Sequence, residues 1–384
     1  MHVAVEGCAH GELDLIYSRI REKEIADNIK VDLLLCCGDF QAIRNEDDLE
    51  ELACPPKYRQ YHDFRDYYNG TKEAPVLTVF VGGNHEAPAF LKDLYYGGWV
   101  AKNIYYMGHA GVVNVNGLRI AGLSGIYDSR DYTRGYFEAQ PYDESTKRSA
   151  YHIREFDVKK LELIEEPIDV FLSHDWPQGI ERFGDVDALI RKKPHLRQDI
   201  DNRRLGNPHG WRLLTKLKPR YWFAAHLHVM FEATVKHDTG STCFLALDKP
   251  IQRRQFIEFM YIEPVKNQKR KHNEQTNLCY DLEWLSIVAT NSQEMPFNAF
   301  PSTVEIELSK PKEESKKAVL DALIREGCEP CTADGGTVYK IPEPAEEWIR
   351  QPGKQREAFM KMFGIVDNAY FAPKVGSKFQ VKFK

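Results

Sequence analysis

Side chains that commonly bind metal ions recur along the first 230 residues, each at the end of a short apolar run. After the strand-like N-terminus, these runs span residues 31–37, 75–81, 168–172 and 221–225. Runs rich in Val, Ile, Leu and Phe, separated by stretches of helical length, indicate an α/β sheet buried on both faces. Because open α/β sheets place their sites at the carboxyl ends of the strands, we expect the candidate ligands to converge along one sheet edge. These ligands are Cys8, His10, Asp39, Asn84, His174, His226 and His228.

This set of donors indicates the class of metal. Imidazole, carboxylate, amide oxygen and one thiolate suit borderline transition metals such as Zn, Fe and Mn, and suit Ca poorly. Two such ions about 3.5–4 Å apart can act on both the attacking and the leaving oxygen of a phosphate. Asp39 is the expected bridge, because its carboxylate can offer one oxygen to each ion.

Each cluster also has a plainer interpretation when it is taken alone. The Cys8 cluster can be a chance pair or packing residues, and Asp39 after Gly38 is more often a turn residue than a ligand. Asn84 after a glycine pair suits a tight turn with a left-handed residue. His226 and His228 alternate, so both rings face one site only if the strand ends before them. The order of all five clusters together favours a metal site.

The order and spacing of the clusters resemble those of the calcineurin-like metallophosphoesterases, whose pattern runs D-x-H, GD, GNH(E/D), H and G-H-x-H. The match extends from residue 1 to about residue 250. Cys8 stands where most of that superfamily has Asp, and Ala225 stands where the last motif usually has Gly. The sequence around Cys8 is similar to the opening of the RNA lariat debranching enzymes. Further segments similar to that family are 32–41, 55–58, 97–100, 103–106, 124–127, 173–177, 244–249 and 280–285.

This resemblance implies an α/β fold, a calcineurin-like metallophosphoesterase β-sandwich flanked by helices, with a small C-terminal α+β domain. The implied catalytic domain covers residues 1–262 and the C-terminal domain residues 263–384. The implied activity is metal-dependent hydrolysis of the 2′,5′-phosphodiester at the branch point of excised intron lariat RNA, in the nucleus, with shuttling to the cytoplasm left open. The implied partner is branched RNA; protein partners are left open.

The resemblance also implies two divalent transition-metal ions, Fe or Zn, with Mn able to substitute. Cys8, His10, Asp39 and His228 would hold one ion, and Asp39, Asn84, His174 and His226 the other. His85 is then free to protonate the departing 2′-oxygen as a general acid; the alternative is an orienting hydrogen bond to a carboxylate. Asp175 either orients a ligand histidine or is an ordinary surface residue.

Residues 124–160 interleave aromatic and basic side chains, and acidic residues there cancel the basic charge. Aromatic rings can stack on bases while guanidinium groups contact phosphates. The corresponding segment of the debranching family is the lariat recognition loop; the alternative is an insertion whose aromatic rings pack on the core. The expected substrate contacts are Tyr127, Arg130, Tyr136, Phe137, Tyr151 and His152.

Charge and composition limit the other possibilities. A net charge of −5 makes bulk electrostatic capture of RNA unfavourable, so RNA binding must be local. No apolar segment is long enough to span a membrane, and we expect no targeting leader. Lys269-Arg270-Lys271 is interpreted as a solvated loop, with a nuclear import signal as the alternative.

The eight cysteines indicate a reducing compartment, where Cys8 can remain a free thiol and act as a ligand. Cys36 and Cys37 are expected in the core. Cys328 and Cys331 have C-x-x-C spacing, but no second pair follows, so we predict no zinc or redox role for them.

Two alternative functions stay open at this point. One is another metallophosphoesterase, such as a nuclease, a cyclic phosphodiesterase or a phosphoprotein phosphatase. The other is a non-catalytic scaffold of the same fold that binds partners. The complete ligand set and the presence of His85 argue against the scaffold.

Overall fold

The computed structural model describes residues 1–264, 276–333, 336–342 and 345–366. The basic stretch Lys269-Arg270-Lys271 lies outside these residues. In the described part of the chain, no helix has the length and apolar character needed to cross a membrane.

The strands are short and mostly buried, as the apolar runs predict. The four runs become β2, β3, β8 and β9, each shorter than its run by one to three residues. The strands are β1 (His2–Glu6), β2 (Leu33–Cys36), β3 (Leu77–Phe80), β4 (Gly98–Ala101), β5 (Ile104–Tyr106), β6 (Ala110–Val115), β7 (Leu118–Leu123), β8 (Val170–Ser173), β9 (Tyr221–Ala224), β10 (Phe231–His237), β11 (Gly240–Ala246), β12 (Ile257–Tyr261), β13 (Leu278–Tyr280), β14 (Pro330–Ala333) and β15 (Gly336–Lys340).

Most of the helices are short and connect these strands. They are α1 (Leu13–Asp27), α2 (Glu46–Glu51), α3 (Phe64–Tyr68), α4 (Pro88–Asp93), α5 (Thr146–Ser149), α6 (Glu155–Glu162), α7 (Val186–Lys192), α8 (Arg197–Asp201), α9 (Pro208–Leu217), α10 (Leu282–Asn291), α11 (Glu313–Arg325), α12 (Glu346–Arg350) and α13 (Pro352–Met362). Single 3-10 turns occur at Pro56–Tyr58, Ile180–Phe183, Pro194–Leu196 and Ser292–Glu294. Helix α11 buries Val319, Ala322 and Leu323.

The strands form two sheets. The six-stranded sheet has the order β12-β1-β2-β3-β5-β4, and the nine-stranded sheet has the order β10-β11-β9-β8-β7-β6-β13-β15-β14. In the first sheet β1, β2, β3 and β5 run parallel, and in the second β11, β9, β8 and β7 do so. The expectation of a single sheet was wrong, because the apolar pattern of a strand reports burial of its faces and not which sheet it joins.

The two sheets pack face to face, and helices cover their outer faces. The layer between the sheets contains Val5, Leu35 and Val79 from the first and Ile120 and Leu172 from the second. The outer face of the first sheet packs against α1 and α4, and that of the second against α6, α9 and α10. The chain therefore forms a β-sandwich flanked by helices, as the fold prediction stated.

The C-terminal part continues the catalytic fold. Strand β13 pairs with β6, so that β13, β15 and β14 extend the second sheet. At the first sheet, the indole of Trp99 donates a hydrogen bond to the Pro342 carbonyl (2.8 Å), and Gln355 bonds both main-chain groups of Trp99. Residues 280–288 pack against the catalytic part of the chain, and α12 and α13 add a second contact. The boundary at residue 262 stays a prediction; β12 ends beside it, at Tyr261.

A buried arginine links the two parts. Arg119 on β7 donates to both oxygens of Asp281 (2.6 and 2.8 Å) and to Glu283 (2.7 Å). Asp281 also caps α10 by accepting from the Trp284 amide. We predict that Arg119→Met lowers the free energy of unfolding by about 3–5 kcal/mol, because it leaves the buried carboxylate of Asp281 and the half-buried carboxylate of Glu283 without their cation. Urea denaturation measures this. Arg19→Met, which removes an exposed ion pair with Glu22, is the control and should leave stability unchanged; equal stability of both variants would contradict the prediction.

Candidate metal centre

The seven predicted ligands lie at the carboxyl ends of strands from both sheets. Cys8 and His10 follow β1, Asp39 follows β2, and Asn84 follows β3, all in the first sheet. The ligands that follow strands of the second sheet are His174, after β8, and His226 and His228, after β9. The two sets meet directly, since the His226 amide donates to the Cys8 thiol sulfur (3.2 Å). The site therefore lies where the edges of two sheets meet, and not along the edge of one.

The first cluster consists of Cys8, His10, Asp39 and His228. Their ligand atoms all lie within 4.8 Å of one another. The Nε2 atoms of His10 and His228 are 3.3 Å apart, and His10 Nε2 is 3.8 Å from Asp39 Oδ2. Burial is the main factor lowering the pKa of both histidines, that of His228 to about 3, so both are neutral and able to bind a cation. This is the set of residues that the family resemblance assigned to one ion.

The second cluster consists of Asp39, Asn84, His174 and His226. His174 Nε2 lies 3.3 Å from Asp39 Oδ1 and 3.1 Å from Asn84 Oδ1. The rings of His174 and His226 are 4.9 Å apart. This is the set assigned to the other ion.

The tautomer of His174 shows that the second cluster fits a cation. Its Nδ1–H donates to the Cys37 carbonyl (2.9 Å), and burial lowers the pKa of His174 to about 4, so Nε2 carries a lone pair. That lone pair faces the oxygens of Asp39 and Asn84. His174 Nε2, Asp39 Oδ1 and Asn84 Oδ1 thus point lone pairs at one another with no proton between them. A bound cation would stabilise this arrangement. The donor types suit a divalent transition metal.

Asp39 belongs to both clusters. It is almost fully buried, and its two oxygens face His174 and His10 respectively. Although burial opposes ionisation, the nearby imidazoles of His174, His85 and His10 hold the pKa of Asp39 well below its usual range. The His85 amide donates to Asp39 Oδ1 (2.8 Å). Asp39 is therefore a carboxylate that faces both clusters.

The backbone turns sharply at several ligands. His10, Asp39, His226 and His228 have φ values of 45°, 42°, 62° and 49°. Left-handed conformations cost non-glycine residues about 1–2 kcal/mol each and are common at functional sites. Because β9 ends at Ala224, His226 and His228 lie beyond the alternation of the strand. Both can then face the site.

Three residues that the sequence analysis did not assign to the site shape it. A Cβ on Gly38 would lie 2.3 Å from His174 Nδ1, and one on Gly83 would lie 2.2 Å from Asp39 Oδ1. Glu86 is buried and accepts hydrogen bonds from the amides of Phe40, Gln41 and Gly83 (2.7–3.0 Å). It ties the loop after β2 to the loop after β3. The two glycines could have been found from the sequence, because each directly precedes a ligand. The role of Glu86 could not, because it depends on tertiary contacts.

Asp175 is not a surface residue, and its side chain is held by main-chain amides. Its carboxylate is buried and accepts from the amides of Trp176 (2.9 Å) and Tyr127 (3.0 Å). The surface interpretation was therefore wrong. Asp175 instead attaches the start of the 124–160 segment to the residue next to His174.

The predicted substrate contacts occupy different environments. Tyr151 and His152 line a pocket together with Gly83, Glu86 and His109, next to Asn84. Tyr127 and Phe137 are half-buried, and Arg130 is exposed and paired with Asp128 (2.7 Å).

Tyr136 differs from the other predicted contacts. It lies in the core of the second sheet's outer face, and its hydroxyl donates to Asp157. The prediction that Tyr136 contacts RNA is not supported, because its ring is used in packing. Tyr136 instead fits the alternative interpretation, in which aromatic rings of residues 124–160 pack on the core.

The cysteines form no disulfide in the structure. All eight are free thiols, and Cys36 and Cys37 are fully buried, as predicted. Cys328 packs against α10 and α11, apart from the metal clusters.

We predict that Gly83→Ala abolishes metal binding, since the added methyl group would displace Asp39 from between the clusters. The matched control is Gly353→Ala on α13, where the nearest atoms are 3.9 Å or more from the new Cβ. Elemental analysis after dialysis against Zn²⁺ should detect metal in the control and the parent protein but not in Gly83→Ala. Full metal content in Gly83→Ala would contradict the prediction, because it would show that metal binding does not require the space beside Asp39 that Gly83 leaves open.

The comparisons with known proteins agree with this geometry. Residues 1–230 match the family described as calcineurin-like phosphoesterases, and residues 239–368 match the C-terminal domain of lariat debranching enzymes. The chain is 44% identical to lariat debranching enzyme A of Xenopus laevis, over 96% of this chain and 71% of that protein. It is 52% identical to the lariat debranching enzymes of Arabidopsis thaliana and Homo sapiens, over 75% of this chain and 68% and 53% of those proteins. The chain therefore belongs to the lariat debranching enzyme family, within the calcineurin-like phosphoesterases.

Proposed function

We propose that this protein hydrolyses the 2′,5′-phosphodiester at the branch point of lariat RNA, leaving a 2′-hydroxyl on the branch nucleotide and a 5′-phosphate on the intron. The observation that carries the proposal is the pair of ligand clusters sharing Asp39, in a chain that matches lariat debranching enzymes along most of its length. The other metallophosphoesterase activities are not favoured by these relatives. A binding scaffold without catalysis would not require the complete ligand set.

Two divalent transition-metal ions at these clusters would polarise the phosphate and lower the pKa of attacking water. Cys8, His10, Asp39 and His228 would hold one ion, and Asp39, Asn84, His174 and His226 the other. Burial raises the pKa of the Cys8 thiol, so Cys8 becomes a thiolate when a cation displaces its proton. Because thiolate and imidazole are comparatively soft, we propose Fe or Zn, with Mn able to substitute.

His85 is the residue we assign to proton transfer. Its amide is fixed by Asp39 Oδ1, and its half-buried ring lies 5.7 Å from the ring of His10. It belongs to neither cluster, so its imidazole can give a proton to the 2′-oxygen as the P–O bond breaks. One P–O bond forms, from the water oxygen to phosphorus, and one breaks, so that the 2′-oxygen leaves as a hydroxyl.

Branch recognition is assigned to the pocket and its rim. Tyr151 and His152 line the pocket beside the Gly83 turn, and Asp175 holds the Tyr127 amide beside His174. RNA specificity generally rests on stacking of unpaired bases and contacts to 2′-hydroxyls, which these side chains can provide. Arg130 and Phe137 remain proposed contacts at the outer part of the same segment.

We also propose a nuclear location, since spliced introns arise there.

The test is incubation of the purified, metal-analysed protein with a synthetic branched RNA that contains one 2′,5′ linkage among ordinary 3′,5′ linkages. We expect cleavage at the 2′,5′ linkage alone, read by mapping the product ends. Equal cleavage of 3′,5′ linkages or of phosphomonoesters would refute the debranching proposal while leaving a metallophosphoesterase.

For proton transfer, we predict that His85→Ala lowers kcat by about 10²–10⁴-fold and retains metal, because His85 protonates the leaving group and binds no ion. Single-turnover cleavage and elemental analysis measure the two quantities. His237→Ala, on β10 and bonded to Thr242, is the control and should cleave normally. Wild-type turnover in His85→Ala would remove this residue from the acid role.

A further inference from the structure

Residues 55–65, named here the aromatic–basic segment, present two tyrosines to solvent. Tyr58 is 60% exposed and Tyr61 is 41% exposed. Most aromatic rings of the chain are buried in its cores. Large rings left in water beside a catalytic site are typical of surfaces that bind a ligand.

Basic groups accompany both rings. The Lys57 ammonium lies 4.7 Å from the centre of the Tyr58 ring, and the Arg65 guanidinium lies 4.8 Å from that of Tyr61. Arg59 donates through Nε to the Cys54 carbonyl (3.1 Å). Among the described residues, no carboxylate lies within ion-pair distance of Lys57, Arg59 or Arg65.

The 124–160 segment differs in this respect. Its basic residues are each paired with a carboxylate of the protein. The pairs are Arg130 with Asp128, Arg134 with Asp131, Lys147 and Arg148 with Glu144, Arg154 with Glu138, Lys159 with Glu305, and Lys160 with Asp157. In a chain of net charge −5, the aromatic–basic segment therefore offers three basic side chains that form no ion pair with the described residues, beside one carboxylate of its own, Asp63.

The aromatic–basic segment is fixed beside the metal centre. The Asp63 amide donates to the Gly11 carbonyl (3.0 Å), next to the ligand His10, and His62 Nδ1 is 2.9 Å from Glu12 Oε1. A Cβ on Gly11 would lie 2.7 Å from the His62 Cβ. Phe64 is buried edge-to-face against Phe40, the residue after Asp39. The residues that follow Tyr61 are therefore attached to the loops that carry His10 and Asp39.

We propose that the aromatic–basic segment binds single-stranded RNA leaving the branch point, with bases stacked on Tyr58 and Tyr61 and phosphates contacting Lys57, Arg59 and Arg65. This rests on the proposed debranching function. Exposed rings flanked by unpaired cations are the combination that binds single strands without regard to sequence. A branch nucleotide carries three RNA arms, and recognition of the branch itself is assigned to the pocket lined by Tyr151 and His152. The aromatic–basic segment would hold an arm, not the branch itself.

The test compares the double variant Tyr58→Ala/Tyr61→Ala with the parent on two branched RNAs, one with single-nucleotide arms and one with ten-nucleotide arms. We expect KM for the long-armed substrate to rise about fivefold or more, with kcat on both substrates unchanged. Tyr58→Phe/Tyr61→Phe should restore the parent KM, because stacking needs the ring and not the hydroxyl. Tyr261→Ala is the matched control: Tyr261 is 59% exposed but pairs with His2, at the end of β1 remote from Cys8.

Binding of a labelled linear ten-nucleotide RNA, measured by fluorescence anisotropy over a salt series, separates this proposal from the debranching proposal. The tyrosine double variant should bind more weakly than the parent. Lys57→Gln/Arg59→Gln/Arg65→Gln should reduce the slope of log affinity against log salt by about 2. A folded double variant with unchanged RNA affinity and unchanged KM would overturn the aromatic–basic segment proposal. Failure of the parent to cut either branched RNA would instead overturn the debranching function.

Discussion

The site depends on one buried carboxylate, Asp39, whose two oxygens face the two ligand clusters. A carboxylate in such a position is costly unless positive or hydrogen-bonding groups surround it. Here the His85 amide donates a hydrogen bond to it, and its pKa lies well below the usual range, so it is ionised. Without Asp39, the donors from β1 and those from β8 would have no common partner.

Much of the surrounding structure serves to keep Asp39 in place. Gly38 and Gly83 leave room for His174 and Asp39, and Glu86 fastens the two loops together through three amides. The His174 bond to the Cys37 carbonyl connects the second sheet to the first at this point. The left-handed conformations of His10, Asp39, His226 and His228 store strain that the packed sandwich must overcome. The metal centre is thus a property of the interface between the sheets.

The sequence predicted the ligands and the strands before them, because each depends on local pattern: an apolar run followed by a donor. The β-sandwich was implied by the family resemblance. From the pattern alone, the sequence did not reveal the division into two sheets, since a buried strand has the same pattern in either sheet. It placed Tyr136 at the RNA surface and left Asp175 undecided, because the partners Asp157 and Tyr127 are fixed by tertiary contacts. For the 124–160 segment, the sequence predicted that acidic and basic charges cancel, but not which residues form the ion pairs. The unpaired cations of residues 55–65 required the structure.

The central claim is that two ions share Asp39, and anomalous diffraction from crystals of the metal-loaded protein tests it most directly. The account predicts two peaks, one among Cys8, His10, Asp39 and His228, the other among Asp39, Asn84, His174 and His226. The Cys8 sulfur should lie about 2.3 Å from the first peak if the metal is Zn. A single peak at full metal loading, or a first peak beyond bonding distance of the Cys8 sulfur, would contradict the account.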